Sequence, residues 1–165
     1  MISLTVGITS YNQFNFLSKA VKSVINQKLI NEKDINLKVI IGHDNPKRKL
    51  YFKDLKIKPS KKIKIINHKV NLGEVGNLNY LLSLCTTEWF CWLADDDLWH
   101  PYYLSSVLNV AKDADISKVS GIYSDYSFGS SIEKSFKNKK ISNLFKHKLY
   151  QKEFLNWFVL NPKKL

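Results

Sequence analysis

A chain of 165 residues with 44% hydrophobic content suits one globular domain with its own core rather than a disordered segment. No apolar run approaches the roughly 20 residues of a membrane span, and the N-terminal MISLTVGITSYN lacks the basic start and long apolar stretch of a signal peptide. The net charge of +12 favours anionic surfaces, but no zinc-finger, helix-turn-helix or RNA-binding signature accompanies it, so nucleic acid is not the expected partner.

ISLTVGIT (2–9) is nearly all apolar or Thr and reads as a strand buried on both faces. A polar loop, SYNQFN, leads to a helix in which Leu17, Val21, Val24 and Ile25 form one apolar stripe, with Asn15 as its N-cap. INLKVIIGHD (35–44) is a second strand ending in Asp44, and KIKIINHK (62–69) a third. NLGEVGN reads as a glycine-containing turn before a helix with Leu78, Leu81, Leu82 and Cys85 inward. EWFCWLA (88–94) is a fourth strand, followed at once by Asp95, Asp96 and Asp97. Pro101 suits the first turn of the next helix, KVSGIYSDYSF (118–128) is a fifth strand, and LYQKEFLNWFVL (149–160) is an apolar helix candidate after a lysine-rich stretch.

Strands alternating with helices at short intervals define an α/β fold, a mainly parallel sheet with helices on both faces. Ligands of such sheets bind beyond the carboxyl ends of the strands. Tyr11, Asp44 and Asp95–Asp97 all follow strands, so this topology gathers them on one edge.

Three neighbouring aspartates repel one another and are costly to desolvate. A divalent cation relieves both problems, and hard oxygen ligands suit Mg²⁺ or Mn²⁺, which commonly bridge to substrate phosphates. Capping the following helix would need only one Asp, and a Ca²⁺ loop needs regularly spaced oxygen ligands that LWHPYYL does not supply. The Tyr11 ring suits either stacking on a base or simple packing. There is no G-x-x-x-x-G-K phosphate loop and no G-x-G-x-x-G after strand one. Cys85 and Cys91, in apolar context and without metal-ligand spacing, read as buried reduced thiols of a cytoplasmic protein.

Four stretches in order resemble the nucleotide-sugar glycosyltransferases of family 2, which have the Rossmann-like GT-A fold. VGITSYNQFNFLSKAVKSVINQ resembles that family's opening strand, its Tyr-Asn loop and a helix ending in Ser-x-x-x-Gln. KVIIGHDN resembles its second strand, NLGEVGNLNYLL its Asn-x-Gly turn with Asn71, Gly73 and a second Asn at Asn79, and FCWLADDDLWHPYYL its Asp-x-Asp segment. The resemblance implies that Thr9 and Tyr11 line the base and ribose and that Asp44 accepts a hydrogen bond from the base, most often uracil. It further implies that Asp95 and Asp96 face the ribose and donor sugar, and that Asp97 holds Mn²⁺ or Mg²⁺ on the diphosphate.

The implied reaction is transfer of a sugar from a nucleotide diphosphate, a UDP-sugar by preference, to a hydroxyl of a glycan or lipid-linked acceptor. It would serve glycan or cell-surface polysaccharide synthesis, with the basic surface meeting the inner face of the membrane. The sequence departs from the family pattern at Thr9 (usually Pro), Asn45 (usually a second acid), Leu78 (often Arg) and Ala94 (often Asp). Residues 1–128 read as the donor-binding core, and 129–165 as a lysine-rich loop and helix that begin an incomplete acceptor part of a C-terminally truncated GT-A fold. Asp125, Glu133, Glu153, His43 and His100 are candidate proton carriers for the reaction, but a strand end, polar loop, solvated face or packing role suits each better, and none is assigned. The alternative reading is a donor-binding module that lacks the base and is inactive alone.

Overall fold

The computed structural model describes residues 1–29, 35–113, 121–123 and 158–160. In chain order the elements are β1 (Ile2–Ser10), α1 (Phe14–Ile25), β2 (Ile35–His43), β3 (Ile63–Asn67), α2 (Gly73–Ser83), β4 (Trp89–Ala94), α3 (Tyr103–Asp113), β5 (Gly121–Tyr123) and β6 (Phe158–Leu160). They form one six-stranded sheet in the order β3-β2-β1-β4-β6-β5. The pairs β1–β2, β1–β4 and β2–β3 are parallel, whereas β6 runs antiparallel to both β4 and β5.

β1 lies inside the sheet, and every residue from Leu4 to Ser10 is buried. This explains its unbroken apolar and Thr composition: both faces are covered, so no polar alternation is needed. The alternation instead sorts side chains between two cores. Leu4, Val6 and Ile8 of β1 pack with Leu17, Val21 and Val24 of α1 and Leu104, Val107 and Leu108 of α3. The other face carries Ile40, Phe90 and Leu81, with Leu78, Leu82, Cys85 and Trp92 against them. Helices thus cover both faces of a mainly parallel sheet. Each fully buried aliphatic side chain contributes about 1.5–3 kcal/mol of apolar burial.

Several local expectations need correction. α1 begins at Phe14, with Gln13 at the cap position and no side-chain cap. Asn15 therefore lies inside the first turn and does not cap it; the Gln13 carbonyl already accepts from Leu17 N at 2.9 Å. Ile25 of the proposed stripe is 40% exposed, since the helix ends there and turns away. The glycine turn before α2 is itself the start of that helix. Gly73 adopts φ +71°, which lets the chain swing from the extended segment into the first turn. Phe158–Leu160, within the proposed apolar helix, is strand β6 and supplies hydrogen-bond partners along one side of β4. A short apolar run is ambiguous between helix and strand, and the unpaired side of β4 decides it. Residues 149–157 of that candidate, and most of 118–128, lie outside the described residues.

The connection from β2 to β3 carries the first lysine-rich stretch. Leu50 and Leu55 are buried plugs. Asn67 holds Leu50 at both its amide (2.7 Å) and its carbonyl (3.1 Å). Ser18 of α1 donates to Leu55 O at 2.6 Å. With the backbone so fixed, every Lys and Arg from Lys47 to Lys64 is exposed. Cys85 and Cys91 are both free thiols. Burial pushes the Cys91 thiol up to about 12, against a smaller opposing effect of Tyr103, so it stays protonated and unreactive.

Candidate functional site

At the carboxyl ends of β1, β2 and β4 an open cleft of about 580 Å³ is walled by four segments. These are residues 9–13 after β1, Asp44 after β2, the start of α2 from Asn71 to Asn77, and residues 94–96 after β4. Its volume lies within the usual range of small-molecule sites. Four carboxylates face it, Asp44, Glu74, Asp95 and Asp96, and no Lys or Arg is among its lining residues. In a chain of net charge +12, this is a local reversal of sign.

The fold brings Thr9, Tyr11, Asp44, Asp95 and Asp96 to this one cleft. Thr9 is buried and accepts a hydrogen bond from Trp92 Nε1 at 2.9 Å, which fixes its rotamer. Tyr11 is 48% exposed, so its ring is open to solvent rather than packed away. Asp44 is buried; its Oδ1 accepts from Leu72 N at 2.8 Å, and its own amide donates to Ser10 O at 2.8 Å. Asp44 therefore ties β2 to the start of α2 through its carboxylate and to β1 through its backbone amide.

The aspartates sit in a turn closed by Asp97 N donating to Ala94 O at 3.2 Å. Asp95 is half-buried, and desolvation raises its pKa above the ordinary carboxylate range; the Ser10 hydroxyl opposes this, Asp96 reinforces it, and the Tyr11 amide opposes it. Ser10 Oγ stands near enough to favour the ionised form, yet it completes no well-formed hydrogen bond and is a buried orphan. Asp97 is half-buried too, outside the cleft lining, and its pKa is raised by desolvation, then by Asp96 and Asp95. Among the described residues, no three His, Cys, Asp or Glu side chains gather into a ready-made metal site. The chemistry of the donors nevertheless fits a hard cation: half-buried carboxylates held close together carry more negative charge than their surroundings accommodate.

Asn77 and Glu74 were not singled out in the sequence. Asn77 is buried; its Nδ2 donates to Gly42 O at 2.8 Å and its Oδ1 lies 3.0 Å from His68 Nε2. The second Asn of the resemblance, Asn79, is exposed and does not line the cleft. A buried carboxamide in a helix otherwise of low amphipathicity has no periodic signature, so only the fold reveals it. His43 is fully buried beneath the site: Nε2 meets Arg48 O at 2.7 Å and the ring abuts Phe14. Its Nδ1 has no partner, and desolvation, opposed most by the Arg48 carbonyl, lowers its pKa, so the ring is neutral. His100 is half-buried, with its pKa also lowered by desolvation, and neither histidine lines the cleft. Asp125, Glu133 and Glu153 lie outside the described residues.

A mainly parallel α/β sheet with an acidic cleft at its carboxyl edge narrows the class, and comparison with known proteins names it. The sequence profile of Glycosyl transferase family 2 matches residues 5–163, and the chain belongs to that family. It is 27% identical over 122 residues to an uncharacterized glycosyltransferase of Haemophilus influenzae, covering 73% of this chain and 36% of that protein. An uncharacterized glycosyltransferase of Rickettsia felis is 26% identical over 123 residues, covering 74% of this chain and 19% of the relative. The chain thus spans about a third or less of the curated relatives it matches.

Among solved structures, the mannosyltransferase PcManGT of Pyrobaculum calidifontis, in complex with GDP-Man and Mn²⁺, superposes with a TM-score of 0.56 at 16% identity. That match covers 73% of this chain and 34% of the other. S. aureus TarS 1-349 in complex with UDP-GlcNAc gives 0.53 at 16% identity, covering 68% and 30%. These likenesses establish the GT-A fold.

Proposed function

We propose that this chain forms the donor-binding part of a glycosyltransferase that moves a sugar from a nucleotide diphosphate to an acceptor hydroxyl in glycan or cell-surface polysaccharide synthesis. The observation that carries the reading is the acidic cleft at the carboxyl edge of β1, β2 and β4, within the family match. Thr9, Tyr11 and Asp44 take the base and ribose, with the exposed Tyr11 ring stacking on the base. Asp95 and Asp96 face the ribose and the sugar.

A diphosphate brought to four carboxylates and no cationic side chain is repelled unless a cation comes with it. Asp97, on the same turn, would hold Mn²⁺ or Mg²⁺ beside the diphosphate. When bound, that ion supplies neutralisation of the charge that builds on the leaving diphosphate. The chain's own residues bind and orient: Trp92 sets the Thr9 hydroxyl, and Asp44 fixes the α2 end of the cleft through Leu72. That one structural neighbour is in complex with GDP-Man and Mn²⁺ and another with UDP-GlcNAc supports the donor class and keeps both bases in the test.

The test is thermal stabilisation by UDP and by GDP, each with and without Mn²⁺. Ligand at 100 times its Kd stabilises by about 2.7 kcal/mol. The reading fails if neither diphosphate raises Tm in the presence of metal. Sugar transfer or donor hydrolysis by the 165-residue chain distinguishes a transferase from a donor-binding module.

The exposed Lys and Arg between Lys47 and Lys64, with Asp54 the sole acid among them, support contact with the anionic inner face of a membrane. Each such cation near an anionic bilayer contributes about 1 kcal/mol. No helix among the described residues is long and apolar enough to cross a membrane. Sedimentation with phosphatidylserine vesicles, but not with neutral ones, is the expected result. Equal retention on DNA at physiological salt would instead mark the charge as indiscriminate.

A further inference from the structure

We infer that Ser23 and Gln27, at the end of α1, are positioning residues that hold the aspartate turn in place without lining the cleft. The inference rests on the reading that Asp97 takes the metal, and deepens it.

The segment between the turn and α3, residues 98–102, pairs with no strand, and only its His100 and Tyr102 carbonyls accept from α3, from Tyr103 N at 2.9 Å and Ser106 N at 3.1 Å. Its backbone is instead tied to α1. Ser23 Oγ accepts from Trp99 N at 3.1 Å and donates to Ala20 O at 2.7 Å. Gln27 Nε2 donates to His100 O at 2.8 Å and to Ser23 O at 2.8 Å. Gln27 Oε1 accepts from Leu104 N at 2.8 Å, one of the amides that the start of α3 leaves without a helical partner. Lys28 N adds a backbone bond to Pro101 O at 2.7 Å. The Trp99 ring is buried in the α1–α3 core against Tyr103, with centroids 4.5 Å apart.

The aspartate turn therefore lies between two anchors. Upstream, Ala94 is paired with Thr9 in the sheet. Downstream, Trp99, two residues past Asp97, is pinned by Ser23. Between them the turn has the Asp97–Ala94 backbone bond. Removing the downstream anchor lets Asp97 wander while Tyr11 and Asp44, on other strands, stay in place. The residue type at 27 follows from the bonds: a carboxamide donates to a carbonyl and accepts from an amide at once, and neither Glu nor Met does both.

The test uses Gln27→Met and Ser23→Ala in the full chain, beside wild type and Asp97→Asn. Calorimetric titration with UDP (and GDP) in the presence of Mn²⁺ reads the turn. Titration with uridine (and guanosine) without metal reads the base site. Disrupting groups that orient a metal ligand weakens affinity about 10–100-fold. Gln27→Met is expected in that range for Mn²⁺-dependent diphosphate binding, with nucleoside affinity within twofold of wild type and faster amide exchange at Trp99 and Leu104. Ser23→Ala follows with a smaller loss, which Ser23→Thr restores; it serves alone if Gln27→Met does not fold. Wild-type affinity in both variants overturns the inference and leaves the donor reading standing. Equal loss of nucleoside and diphosphate binding also overturns it, since the role is then general stability. Absence of metal-dependent binding in wild type, or its persistence in Asp97→Asn, overturns the assignment of Asp97 and the inference with it.

Discussion

Gly42→Ala tests the close fit behind the cleft. Gly42 is buried at the end of β2, facing Asn77 of α2. A Cβ there would stand far inside van der Waals contact distance of Asn77 Oδ1, 3.0 Å from its Cγ and 3.2 Å from its Nδ2. Either the strand and helix part, at about 1–3 kcal/mol for overpacking, or the carboxamide swings away. In the second case it gives up its bonds to Gly42 O and His68, at about 0.5–1.5 kcal/mol each. Both routes lead to a loss of about 1–3 kcal/mol. At about 2–4 °C per kcal/mol for a chain of this size, Tm falls by roughly 2–12 °C. UDP affinity falls as well, because Asn77 lines the cleft. The decisive comparison is with Asn77→Ala, where the clashing carboxamide is gone. In that background Gly42→Ala should cost little, giving a coupling energy above about 1 kcal/mol. Thermal and urea melts of the four proteins complete the cycle. A Tm change under about 1 °C for Gly42→Ala, or strict additivity in the cycle, would refute the reasoning.

Other outcomes follow from the charged and buried groups. Desolvation raises the pKa of Asp95 and Asp97 in the folded chain, so the metal-free protein loses stability as pH rises from about 3.8 through their folded values. Asp95→Asn and Asp97→Asn should each raise the metal-free Tm at pH 7 while lowering Mn²⁺-dependent UDP binding; a lower Tm in both would contradict the electrostatics. His43 is held neutral, with its pKa below the ordinary 6.5. The unfolded chain then binds the extra proton, so stability falls as pH drops below about 6.5, and His43→Gln should flatten that limb of a pH–Tm profile. Trp92→Phe keeps the ring but removes the bond to Thr9, and should cost about 0.5–1.5 kcal/mol in urea melts with a weaker diphosphate affinity.

The sheet was largely legible because its signals are continuous. β1, β2 and β4 are apolar enough to define strands, β1 as one buried on both faces, and their alternation with helices points to a mainly parallel sheet and a ligand-binding edge. What escaped depends on pairs distant in sequence. Nothing local says that Gly42 must lack a Cβ for the sake of Asn77, 35 positions on. The Ser-x-x-x-Gln spacing at Ser23 and Gln27 was visible, but its target, the backbone at Trp99, His100 and Leu104, was not. Asn15 misled because Asn is a frequent cap, whereas the chain entering α1 needed no side-chain cap at all. Phe158–Leu160 misled because apolarity alone does not distinguish a helix from a strand, and the partner that decides it lies far upstream.

That last strand bears on how the protein is made. β4, which delivers the aspartates, pairs with β1 on one side and β6 on the other. During synthesis from the N-terminus, WFCWLA emerges well before Phe158–Leu160. Until β6 arrives, one side of an apolar, aromatic strand has open hydrogen-bonding groups, the kind of edge that recruits other chains. The strand carrying the site is therefore open to unwanted pairing in a nascent chain until β6 covers it.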